Sequence, residues 1–188
     1  MKFIRRLLTI MVSLCALFGT AGCNHGTTSS SDSTGGSSSE PAQTGNYIAY
    51  DGSSDYTILL PESPQPAEST AATELSTILG QVTGATIDVV AENRARDVST
   101  EGNFISVGET QLYKEQEFKA ENLNTDGFLI KTVDNTLFII GENQRGTLYG
   151  VYEFLEREAG CRFLSPTYDD IPSVDFFFFI DMEITEIY

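Results

Sequence analysis

The chain has 188 residues, 40% of them hydrophobic and 20% charged, which is material for one folded domain with further segments around it. Its formal charge is −16. Beyond residue 22, eight basic side chains face all 27 acidic ones, a balance that repels phosphate backbones and excludes nucleic acid as a partner. The one histidine, His25, lies in a low-complexity stretch, which argues against a histidine base, a histidine-containing triad or a histidine-ligated metal in the folded part.

Residues 1–6 are basic, and residues 7–19 form an apolar run broken only by Thr9 and Ser13. That length suits a secretory signal and falls short of the roughly 20 residues that a membrane span needs. Thr20-Ala21-Gly22-Cys23 then resembles a bacterial lipobox, with Cys23 as the lipid attachment site. Thr20 occupies the position where Leu, Val or Ile is usual, so ordinary cleavage after a small residue and an uncleaved anchor are the alternatives. Residues 1–22 are expected to be a lipoprotein signal peptide, and 23–45 the lipidated cysteine with its linker. Of residues 24–45, 15 are Ser, Thr or Gly, a composition that cannot offset its chain entropy by burial and acts as a flexible tether. The expected location is the cell envelope, with the membrane as partner through the anchor.

The folded region is expected over 46–175. Residues 56–60 predict a strand stopped by Pro61, and a helix begins near Ala67, with Ala71, Leu75, Ile78, Leu79 and Val82 on one stripe until Gly84. Strands are predicted at 86–90 and 104–107, then one or two helical turns within 109–117. Residues 128–133 and 136–140 flank Asp134-Asn135 and predict a hairpin, its second strand apolar on both faces and central in the sheet. A second helix is predicted over 144–158, with Leu148, Val151, Tyr152 and Leu155 inward and Glu153, Glu156, Arg157 and Glu158 solvated. Residues 176–188 alternate as one strand, with Phe176, Phe178, Ile180, Met182 and Ile184 on a shared face.

Chemistry-bearing motifs are sparse. Gly141-Glu142-Asn143-Gln144-Arg145-Gly146-Thr147 joins a strand to a helix, but Thr147 and Leu148 stand where a phosphate-binding loop needs Lys and Ser or Thr. What remains is a helix start with Arg145 beside it. That residue either contacts an acidic ligand or pairs with a local acid or a neighbouring domain. Asp169-Asp170 precedes Ile171-Pro172 in an expected loop, without the further oxygen ligands that calcium requires. Cys15 lies in the signal and Cys23 at the lipid site, so Cys161 is left alone as a buried structural thiol. Neither a catalytic residue nor a metal site is assigned, and no cofactor is called for.

Several stretches in order carry a family resemblance. They are Tyr56-Thr57-Ile58-Leu59-Leu60-Pro61, Ala71-Ala72-Thr73-Glu74-Leu75 running on to Val82-Thr83-Gly84-Ala85, Ile105-Ser106-Val107-Gly108-Glu109-Thr110 and Gly127-Phe128-Leu129-Ile130-Lys131-Thr132. Most specific is Arg145-Gly146-Thr147-Leu148-Tyr149-Gly150-Val151-Tyr152-Glu153-Phe154-Leu155-Glu156, followed by Gly160-Cys161-Arg162-Phe163. Together they resemble the N-terminal domain of family 67 α-glucuronidases and related multi-domain glycoside hydrolases, similar in fold to the second domain of β-N-acetylhexosaminidases. The resemblance implies an α/β (α+β) domain, a single mixed sheet with helices packed on it, zincin-like without a metal centre. It also implies a following (β/α)₈ barrel that holds the catalytic acids and has no counterpart in these 188 residues, toward which the strand at 176–188 would lead. The expected function is a non-catalytic accessory module of a cell-envelope glycoside hydrolase acting on polysaccharide, uronic-acid glycans among them. The alternative is a stand-alone surface lipoprotein that binds glycan or a partner protein.

Overall fold

The computed structural model describes residues 47–94, 102–165, 168–178 and 181–187. The signal segment, Cys23, the tether, Phe179, Ile180 and Tyr188 lie outside the described residues. In chain order the elements are β1 (Tyr47–Tyr50), β2 (Tyr56–Leu60), α1 (Pro66–Thr83), β3 (Asp88–Ala91), β4 (Asn103–Val107) and α2 (Gln111–Lys114). They continue with β5 (Phe128–Val133), β6 (Thr136–Gly141), α3 (Gln144–Arg157), β7 (Arg162–Ser165), β8 (Tyr168–Asp170), β9 (Phe176–Phe178) and β10 (Glu183–Glu186).

A six-stranded mixed sheet runs in the order β10-β5-β6-β4-β2-β3. β3, β2, β4 and β6 are mutually parallel, while β5 is antiparallel to both its neighbours. β2 is followed by α1, which carries the chain across to β3 as parallel neighbours require. The helix ends at Gly84, whose left-handed φ of 73° lets its N–H donate to the Gly80 carbonyl. The β5–β6 hairpin turns through Asp134 and Asn135, with Val133 opposite Thr136 and Asp134 at φ 51°.

Period-two alternation divides the core between the two faces of the sheet. Ile58, Ile105, Leu137 and Ile139 face α1 and α3, where Leu75, Leu79, Val82, Val151, Phe154 and Leu155 meet them. Leu59, Phe104, Phe138 and Ile140 face the other way, onto Leu112 and Tyr113 of α2. β6 is therefore buried on both sides and central, as its unbroken apolar run predicts.

The buried stripe of α3 differs from the predicted one. Gly146, Thr147, Gly150, Val151, Phe154 and Leu155 are buried, whereas Leu148 and Tyr152 are only partly covered. The cause is close approach. A Cβ at Gly150 would lie 2.9 Å from Ile139 Cγ2 and 3.2 Å from the Phe128 ring, so the helix meets the sheet through glycine rather than through a large side chain.

The C-terminal stretch is two strands rather than one. β9 pairs with β1 in a separate two-stranded ribbon, and β10 adds to the β5 edge of the main sheet. Phe177 turns inward, 6% exposed with its ring edge-on to Phe154, while Phe176 and Phe178 stay 48% and 46% exposed against Tyr47. Strand β3 also starts two residues later than predicted, because pairing with β2 begins at Asp88. Asp169 and Asp170 lie not in a loop but in β8, opposite Phe163 and Arg162 of β7. Neither β1 nor the β7–β8 hairpin is marked by the hydrophobic pattern of the sequence.

The inward turn of Phe177 sets a stability test. Phe177→Ala is expected to cost about 3 kcal/mol in urea unfolding and Phe176→Ala less than about 1 kcal/mol, an order that the alternation of the sequence alone does not fix.

Candidate functional site

The loop between β6 and α3 stands at the carboxyl end of the parallel strands, where open α/β sheets commonly take ligands. Asn143 caps α3, its Oδ1 accepting from Arg145 N at 2.8 Å and Gly146 N at 3.1 Å, while its amide donates to the Thr125 carbonyl. Thr147 Oγ1 accepts from Gly141 N at 3.0 Å, which ties the first turn of the helix to the end of the strand. Gln144 reaches across to the neighbouring helix, its Oε1 accepting from Ala67 N at 3.0 Å. Glu68, 8% exposed, accepts from Gln65 N at 2.7 Å and completes a reciprocal cap on α1. Gly108, at φ 82°, clears space for that carboxylate, since a Cβ there would lie 2.6 Å from Glu68 Oε1.

These bonds decide what the loop can hold. A crevice of about 300 Å³ opens here among Gln65, Glu68, Glu109, Lys114 and Asn143. Yet three backbone N–H groups at its helix heads already donate to the Gln144 and Asn143 side chains. The anion cradle formed by free helix N–H groups in phosphate sites has no counterpart at these positions.

Of the two roles open to Arg145, the structure shows pairing with a local acid. Its Nε donates to Asp126 Oδ1 at 2.8 Å and its Nη2 to Asp126 Oδ2 at 2.6 Å, a two-pronged contact on an exposed surface. That hydrogen bonding, with the Asp126 charge behind it, raises the guanidinium pKa further above its ordinary value. A ligand carboxylate would have to displace Asp126 to reach the guanidinium. Asp126 lies 19 residues from Arg145 in the chain, and no local pattern links the two. Asn143, by contrast, was legible as an N-cap residue ahead of an apolar-periodic run.

On the outer side of α3 lies a second feature, an open groove of about 520 Å³ lined by Asp126, Tyr149, Tyr152, Glu153, Glu156 and Phe163 among others. Tyr152 and Phe163 meet edge to face, ring centroids 4.8 Å apart. The sequence pattern predicts Tyr152 inward and Glu153 and Glu156 solvated, whereas all three line this groove.

A family model described as Glycosyl hydrolase family 67 N-terminus matches residues 49–154, more than half of the chain. The chain belongs to this family. A probable α-glucuronidase A of Aspergillus terreus is 32% identical over 103 residues, which is 55% of this chain and 12% of that protein. Its namesake in Aspergillus fumigatus is 30% identical over 105 residues, 54% of this chain and 12% of the relative. The chain thus spans about an eighth of the length of these relatives. Among solved structures, a family GH115 4-O-methyl-α-glucuronidase with specificity for decorated arabinogalactans aligns with a TM-score of 0.51 at 20% identity. The alignment covers 72% of this chain and 18% of that one, a likeness of fold. The family match ends inside α3, so Glu156 and Phe163 of the groove lie beyond it.

Other candidate residues of this family 67 N-terminal domain take structural positions. Cys161 is a free, buried thiol in the main core, its pKa raised by burial and then by the charges of Glu156, Asp169 and Asp170. Among the described residues no group of three or more His, Cys, Asp or Glu side chains is placed to hold a metal ion. With Cys15 and Cys23 replaced by serine, Cys161 is expected to resist a thiol reagent at neutral pH and to react fully in denaturant; rapid labelling of the folded chain would contradict its buried, protonated state.

Proposed function

We propose that the chain serves as a non-catalytic N-terminal accessory module of a glycan-degrading enzyme of the cell envelope, with uronic-acid glycans as the substrate class. The observation that carries this reading is the family match over residues 49–154, taken with the 12% share of the α-glucuronidases that the chain covers. Catalysis is assigned to parts of the enzyme outside this domain, in a (β/α)₈ barrel that needs about 250 residues. The chemistry within the domain fits that assignment. Glu68, the buried carboxylate among the described residues, is engaged in a helix cap, and Cys161 is held protonated in the core.

The accessory role has a direct test. The purified chain is expected to release no product from aryl α-glucuronides or uronosyl oligosaccharides beyond the buffer rate, and turnover that disappears on substitution of one of its own carboxylates would overturn the reading.

Export and lipid attachment belong to the same proposal, with residues 1–22 as signal and Cys23 as the acylated residue. No helix among the described residues is long and apolar enough to cross a membrane; in this proposal the acyl chains on Cys23 supply the membrane attachment. In an expressing bacterium, metabolic labelling with a fatty acid is expected to mark the chain and to fail in Cys23→Ser. Unlabelled parent chain, or label that survives the substitution, would sink the anchor.

A further inference from the structure

We propose that the groove along the outer stripe of α3 is a docking site for a basic polypeptide segment, which seats an arginine or lysine side chain over its tyrosine rings. The stripe follows from helical spacing. Tyr149, Tyr152, Glu153 and Glu156 stand at i, i+3, i+4 and i+7, so rings and carboxylates share one face of α3. Phe163 of β7 and Asp126 ahead of β5 wall the sides of the groove. Tyr149 is 42% exposed, the most open aromatic ring of this helix.

Charge complementarity selects the occupant. Two guanidiniums on or beside α3 are already engaged, Arg145 by Asp126 and Arg157 by Glu153 at 3.3 Å, while Glu156 forms no ion pair among the described residues. Glu74 of α1 and Asp169 of β8 add negative charge at Tyr152, where both help keep the hydroxyl protonated behind the larger effect of burial. Carboxylates therefore outnumber cations around the rings. An acidic or phosphorylated ligand meets net repulsion here. A guanidinium or ammonium gains charge-assisted bonds to Glu156 together with attraction to the tyrosine faces. The stripe covers seven helical steps, roughly 10 Å, which is longer than one small cation and suits successive side chains of a facing segment. The inference concerns what the domain binds and holds whether or not its parent enzyme degrades glycans.

The test is a titration of the isotope-labelled chain by NMR. The probes are four: an arginine-rich peptide, a glutamate-rich peptide of equal length, an uncharged Gly-Ser peptide and a neutral xylo-oligosaccharide. The arginine peptide is expected to shift the amides of residues 149–156 and of Phe163, with affinity falling several-fold from low salt to about 0.3 M. The double variant Glu153→Gln/Glu156→Gln is expected to weaken it about tenfold, whereas Glu117→Gln/Glu121→Gln, which removes the same charge from exposed positions elsewhere, leaves it within about twofold. Tyr149→Ser provides a second variant on an exposed ring and is expected to lower affinity with the remaining spectrum unchanged.

Four results would overturn the proposal. They are absence of shifts with the arginine peptide, equal shifts with the glutamate peptide, equal weakening by the two double variants, and salt-independent saturation of these amides by the oligosaccharide. The third would assign binding to overall acidity, and the fourth would make the groove a sugar-stacking surface.

Discussion

Backbone contact between α3 and the end of the β5–β6 hairpin is the constraint on which the rest of the structure depends. A Cβ at Gly141 would lie 2.1 Å from Thr147 N, and one at Gly146 would lie 2.5 Å from the Gly127 carbonyl oxygen. Nothing larger than hydrogen fits at those points, so the helix settles onto the sheet by its own main chain. At that distance Thr147 can bond Gly141 N, and the large side chains of α3 must leave the contact to either side. Val151, Phe154 and Leu155 go into the core toward α1, while Tyr149, Tyr152, Glu153 and Glu156 line the outer surface. The groove is thus a geometric consequence of where the glycines are.

The same seating brings the heads of α1 and α3 together. Gln144, the first residue of one helix, caps the other at Ala67, and Asn143 and Glu68 take up further backbone groups at the two starts. In nucleotide-binding α/β proteins such N–H groups stay free for a phosphate. Here they are consumed within the domain, which makes the crevice a structural joint. A satisfied polar network of this kind favours one arrangement of two helices over neighbouring registers, because any slip leaves donors without partners.

Much of this was legible in the chain. The helix from Pro66 to Thr83 follows from its three- and four-residue apolar spacing and the glycine at 84. The hairpin follows from Asp134-Asn135, and the central strand from its unbroken run at 137–140. At residues 176–178 alternation fixes which residues share a face but not which face turns inward; Phe177 is buried because Phe154 lies beneath it. The stripe of α3 misled because hydrophobic counting gives no weight to glycine, although Gly146 and Gly150 make the closest approach to the sheet. The position of the loop between strand and helix was legible, but the partner of Arg145 was not, since Asp126 arrives through the β5–β6 hairpin.

What the sequence alone determined was the two long helices, the β5–β6 hairpin with its central strand, the family and the solitary thiol of the domain. All of these depend on residue identity and local spacing. Tertiary structure decided which donors were already spent, which aromatic rings faced outward and how the acids gathered around Tyr152. Those properties depend on distances between residues far apart in the chain, and such distances are set only when glycine lets α3 settle onto the sheet.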